Sequence, residues 1–125
     1  MNTTNNHINE NYSVFTFTIL LLAFASTDKL PGRWESKLPG GNILGVIFKP
    51  DNSMEGYFNK KPLFSGTYTW SDGMLSFEDN GCQDIKGIYK IVFFSNSDSM
   101  RWEVINDSCK GRKEGVNNMI FARVK

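Results

Sequence analysis

The side chains able to do chemistry are few in this sequence. His7 is the only histidine, and Cys82 and Cys109 are the only cysteines. His7 precedes an uncharged run, residues 14–25 (VFTFTILLLAFA), which closes on Ala23-Phe24-Ala25, the small-x-small pattern that signal peptidase accepts. That run falls short of the roughly 20 apolar residues a spanning helix needs. Residues 1–25 are therefore expected to be a cleaved signal peptide, with a mature domain over 26–125 starting at Ser26. Residues 1–13 lack the lysine or arginine usual at the front of such a signal, so the alternative is a retained N-terminal anchor.

Cleavage would remove His7, and a mature chain without histidine has no Ser-His-Asp triad, no Cys-His dyad and no histidine metal ligand. No enzyme activity, catalytic residue, metal or cofactor is expected. Export to the periplasm, cell envelope or exterior favours a disulfide between Cys82 and Cys109. Glu55, Glu78, Asp79 and Glu103 are of the type that forms glycosidase pairs, but nothing in their spacing requires a pair and most are expected to be exposed. Lys110-Gly111-Arg112-Lys113, flanked by Asp107 and Glu114, reads as a solvated loop. Asn106-Asp107-Ser108 fits a glycosylation sequon whose use depends on the host. No phosphate loop, zinc spacing or calcium loop is present. A formal net charge of +1, with both signs interspersed, gives no broad attraction to nucleic acid or anionic lipid.

The elements that would carry these groups are strands. Alternating apolar residues mark segments 32–37, 42–49, 53–59, 63–70, 74–78, 85–95, 99–106 and 117–124. Pro39-Gly40-Gly41, Pro50-Asp51-Asn52 and Ser71-Asp72-Gly73 supply turn chemistry between them. Segment 107–115 lacks alternation and reads as a loop with at most one helical turn; no C-terminal helix is expected. Short connections favour an eight-stranded antiparallel up-and-down meander closed into a barrel, which removes exposed edges; an open sandwich is the alternative. A hairpin turning near Ser97 sets the residues around Cys82 opposite 109–112, so both cysteines lie at one end. Gly66-Thr67-Tyr68 and Gly87-Ile88-Tyr89 each open a strand–turn–strand unit ending in a cysteine, a weak internal echo attributed to two similar hairpins.

Gly32-x-Trp34 opening the first strand, Gly66-x-Tyr68, Gly87-x-Tyr89 and the late Cys109-x-x-Arg112 resemble the short bacterial lipocalin-like domains of exported proteins, within the wider calycins. The resemblance covers most of the mature chain and rests on short motifs. It implies a barrel whose closed end is plugged by Trp34, with Arg112 or Arg123 packed across the indole. Gly32, Trp34, Arg112 and Arg123 are thus structural candidates.

Alternation anchored on Trp34, Tyr68 and Tyr89 turns Ser36, Leu44, Val46, Phe48, Met54 and Phe58 inward, then Trp70, Leu75, Phe77, Ile91, Phe93, Met100, Trp102 and Val104. Gly56, Gly66 and Gly87 share that parity, while Lys49, Lys86 and Lys90 face solvent. So aromatic an interior either fills the barrel or leaves a narrow apolar pocket. In the second case Phe58, Tyr68, Trp70, Phe77, Tyr89 and Trp102 are the candidate ligand-binding residues, with Tyr68, Tyr89 and Trp102 offering polar tips. The expected function is that of an exported lipocalin-like binding protein for a small apolar ligand. The alternative is an exported protein-interaction module such as a protease or lysozyme inhibitor. No nucleic-acid partner and no membrane span in the mature chain are expected.

Overall fold

The computed structural model describes residues 29–125; the expected signal segment lies outside them. The chain forms a closed antiparallel barrel whose strands follow sequence order: β1 (Gly32–Lys37), β2 (Ile43–Phe48), β3 (Ser53–Phe58), β4 (Lys61–Ser71), β5 (Met74–Asp79), β6 (Gly87–Phe94), β7 (Ser99–Asp107) and β8 (Ile120–Arg123). Closure comes from β1 pairing with β8, Trp34 opposite Arg123 and Glu35 opposite Ala122. The expected eight-stranded meander barrel is the fold observed.

The helix content corrects one expectation. Residues 107–115 hold more than the single helical turn expected: helix α1 (Lys110–Val116), seven residues long, stands between β7 and β8. It buries no apolar residue fully and contains Gly111 and Gly115, so neither apolar periodicity nor helix propensity marks it in the sequence. It is held by tertiary contacts at its ends. Among the described residues no helix is long and apolar enough to cross a membrane.

Because a meander alternates ends, the barrel has two chemically different rims. At one rim lie residues 29–31 and the hairpin turns after β2, β4 and β6. The other carries the turn after β3, the β5–β6 loop and α1. The interior between them is aromatic. Trp102 packs against Phe121, Tyr89, Phe77 and Phe48 with ring centroids 5.1, 5.6, 5.7 and 6.2 Å away, and Phe48 meets Tyr68 edge-on at 5.0 Å. Two register shifts break the alternation. One opposes Gly56 to Phe64 but Tyr57 to Pro62, leaving Leu63 as an extra residue. The other opposes Ile88 to Asn106 but Tyr89 to Val104, leaving Ile105 extra. Each such bulge reverses which side of the strand faces inward beyond it.

The rim near residue 29 is closed by Trp34. Its side chain is fully buried and its indole Nε1 donates to the Leu30 carbonyl at 2.9 Å. Arg123 lies over the ring with its guanidinium carbon 4.2 Å from the centroid. Arg123 also donates to the carbonyls of Lys29 at 2.5 Å, Pro31 at 3.2 Å and Ser97 at 3.2 Å. Gly32 adopts φ +135°, where a side chain is strained, and a Cβ there would stand 3.0 Å from the Arg123 guanidinium. Gly32, Trp34 and Arg123 therefore form one physical unit. Of the two arginines considered for this position, Arg123 occupies it and Arg112 lies at the opposite rim.

Candidate functional site

At the α1 rim, Cys82 and Cys109 form a disulfide with Cα atoms 6.0 Å apart, joining the β5–β6 loop to the start of α1. Beside it sits a polar cluster. Arg112 on α1 donates from Nε to Asp107 Oδ2 at 2.7 Å and from Nη1 to Asp79 Oδ2 at 3.0 Å. Its Nη2 donates to Asp107 Oδ1 and to the Ile85 carbonyl, both at 2.8 Å. The guanidinium face covers Phe77 at 4.7 Å. All three charged side chains are withdrawn from solvent: 8 % accessible for Arg112, 4 % for Asp79 and 0 % for Asp107. The expectation that 110–113 is a solvated loop fails at Arg112, whose stem and head are drawn inward by the two acids.

The carboxylates do a second task. Asp79 Oδ1 accepts from the backbone amides of Gly81 and Cys82 at 2.9 and 3.1 Å, capping the 3-10 turn Asn80–Cys82. Asp107 Oδ1 accepts from the Cys109 amide at 2.9 Å. Each acid thus orients one half-cystine while sharing Arg112 with the other. The internal echo explains the placement: Gly66 is paired with Asp79 and Gly87 with Asp107. A Cβ on Gly87 would lie 2.8 Å from Arg112 Nη2 and 2.9 Å from Asp107 Oδ2, so glycine makes room for the cluster. The remaining acids behave as expected of surface groups. Glu55, Glu78 and Glu103 pair with Lys49, Lys86 and Arg101 respectively.

The electrostatics give a measurable consequence. Burial alone would push the Asp107 carboxyl up, but hydrogen bonds from Arg112, Tyr89 and the Cys109 amide outweigh it and hold the group below its ordinary range. Burial and the hydrogen bond to Asp107, 2.5 Å long, push the Tyr89 phenol up. Asp107 therefore adds stability that is fully present above its unfolded value of about 3.9 and is lost as pH falls through the depressed folded value. Tyr89 adds stability that is present below about pH 10 and lost as pH rises further. Urea midpoints should form a plateau with falling flanks. Asp107→Asn should flatten the acid flank and Tyr89→Phe the alkaline one. Unchanged slopes in both variants would contradict this assignment.

Next to the cluster a cavity of about 550 Å³ opens under α1, lined mainly by apolar side chains including Leu44, Val46, Phe64, Phe77, Trp102 and Phe121. Val116 and Met119 close it from the α1 side, and Asp79, Arg112 and the disulfide form the polar part of its wall. Of the six residues named from the sequence, Phe77 and Trp102 line it. Tyr89 is adjacent but its hydroxyl is committed to Asp107. Tyr68 and Trp70 lie toward the Trp34 rim: the Tyr68 hydroxyl donates to the Lys49 carbonyl at 2.7 Å and Trp70 meets Phe93 edge-on at 5.8 Å. Phe58 ends β3 with 37 % of its surface exposed and is not part of the lining. Its inward parity is lost where the strand ends. Sequence reasoning missed Phe64 and Phe121 in the lining; both follow the parity of residues it did place, Tyr68 and Met100. Among the described residues no three His, Cys, Asp or Glu side chains group as metal ligands.

No protein-family model matches this chain, and no curated protein matches it significantly in sequence; the barrel and its site stand on their own geometry.

Proposed function

We propose that this is an exported, lipocalin-like binding protein that takes up a small apolar molecule in the cavity under α1, and that it is not an enzyme. The cavity carries the reading: about 550 Å³ lies within the range typical of small-molecule sites, and aliphatic and aromatic side chains make up most of its lining. The disulfide supports export, since such bonds persist in oxidising compartments. The glycine–tryptophan opening supports the lipocalin-like relation, with Gly32, Trp34 and Arg123 forming a working plug. The test is native mass spectrometry of the protein isolated from its own host. A chain beginning at Ser26, carrying a non-covalent small molecule that is released on unfolding, is the expected result. A full-length chain would contradict export, and a bare chain would contradict the carrier role. Capture of a protein partner instead would favour an exported inhibitor, for which the exposed apolar side chains Leu63, Ile105 and Ile120 are the supporting observation.

A further inference from the structure

The exposed charges of the barrel are not shared evenly between its rims. Lys37, Lys60, Lys61 and Lys113 lie exposed at the α1 rim, and none of them takes part in an ion pair among the described residues. The acids of that rim are largely engaged: Asp79 and Asp107 on Arg112, Glu78 on Lys86 at 3.9 Å and Glu114 on Lys110 at 4.0 Å, which leaves Asp84. At the opposite rim Lys49 pairs with Glu55 at 2.8 Å and Lys125 with Asp98 at 2.9 Å. A net charge of +1 for the chain therefore conceals a basic pole.

The turn between β3 and β4 concentrates that pole. It reads Phe58-Asn59-Lys60-Lys61-Pro62-Leu63. Asn59 and Lys60 take positive φ, 49° and 71°, as a tight hairpin turn requires. Asn59 is tied to the start of β2: its side chain accepts from the Ile43 amide at 2.8 Å and donates to Asn42 at 3.0 Å. Lys60 and Lys61 are left in solvent, flanked by Phe58 and Leu63 at 37 % and 55 % exposure. Leu63 and the adjoining Phe64 also line the cavity under α1, so this hairpin borders its mouth.

We infer that the α1 rim docks on an anionic lipid bilayer through the β3–β4 hairpin, Lys60 and Lys61 meeting the headgroups while Phe58 and Leu63 reach the acyl boundary. Basic and apolar groups side by side supply the two signals an interfacial anchor needs. The type of cation favours a bilayer over an acidic protein. The four unpaired cations are all lysines, whereas Arg112 at the same rim is buried in its ion cluster. Protein interfaces are enriched in arginine and depleted in lysine. Lysine is a mobile point charge, suited to a fluid array of headgroups. That the bilayer is also where the apolar molecule is loaded or released rests on the carrier reading above; docking itself needs no occupied cavity.

The purified protein, without added ligand, should co-sediment with vesicles of phosphatidylcholine containing phosphatidylglycerol but not with phosphatidylcholine alone, and high salt should release it. Lys60→Gln/Lys61→Gln should weaken this binding about thirtyfold, the combined worth of two lysines at an anionic surface. Lys29→Gln/Lys90→Gln takes the same charge from residues away from this rim, and should change binding by less than about twofold. The vesicle comparison needs only the wild type, so it decides the matter even if a variant folds poorly. Equal binding to both vesicles, or to neither, would overturn the docking. Equal losses in the two double variants would show that net charge acts rather than the hairpin, and would overturn it as well. Polyglutamate bound as tightly as the anionic vesicles would assign the rim to an acidic protein instead. N-phenylnaphthylamine carried by the protein should then pass to anionic vesicles at a rate that rises with lipid concentration and falls in Lys60→Gln/Lys61→Gln. A rate indifferent to lipid concentration would overturn loading at the bilayer. Vesicle binding by a protein that never takes up the fluorophore would overturn the carrier reading and leave the docking standing.

Discussion

Arg112→Leu should destabilise the barrel by about 3–5 kcal/mol in urea unfolding, because it leaves two buried carboxylates without their shared cation. Asp107 has no solvent access and Asp79 almost none, so neither recovers hydration when the guanidinium is lost. The loss also frees the Ile85 carbonyl and uncovers the face of Phe77. Adding Asp107→Asn to Arg112→Leu removes one uncompensated charge, and the double variant should be more stable than Arg112→Leu alone. A double variant less stable than the single one would show that packing, not charge, dominates at this rim.

Trp34→Ala should cost about 3–5 kcal/mol as well, through a different mechanism. Trp34 is among the largest fully buried side chains, and its removal leaves a cavity beneath Arg123 and the Leu30 carbonyl without its donor. Because the damage lies at the opposite rim from α1, probe affinity at the cavity should change less than about twofold while stability falls. A large loss of probe binding at temperatures where Trp34→Ala is fully folded would mean that the two rims are coupled.

Most of the barrel was legible because its strands bury one face, and a single parity anchored on Trp34, Tyr68 and Tyr89 carried through them. Legibility stopped at the bulges. Counting by twos from Trp102 and Val104 turns Asn106 inward and Asp107 outward; the extra residue at Ile105 reverses this and buries Asp107. The acid that completes the ion cluster was therefore read as part of a loop. Helix α1 escapes a reading by apolar pattern because it buries no apolar residue fully; it is fastened instead by the disulfide and the inward-drawn Arg112 side chain. The cysteine pairing was readable, since the hairpin centred near Ser97 brings both to one rim regardless of the bulge. The choice between Arg112 and Arg123 was not: both are late arginines, and only the β1–β8 pairing places Arg123 beside Trp34. The six candidate ligand-binding residues divide for the same geometrical reason. Tyr68 and Trp70 share the inward parity of Phe77 and Trp102 but sit nearer the plugged rim, and parity carries no information about height along the barrel axis.

The central claim is that the space under α1 receives a small apolar molecule. Titration of an environment-sensitive apolar fluorophore into the wild type and Val116→Trp tests it most directly. Val116 is a half-buried lining residue on α1, where a larger ring would fill the cavity rather than replace a buried core side chain. Saturable one-to-one binding to the wild type, abolished in Val116→Trp while urea unfolding of the two proteins stays alike, is the predicted result. A wild type that binds no probe, or a Val116→Trp variant that binds it undiminished, would contradict the claim.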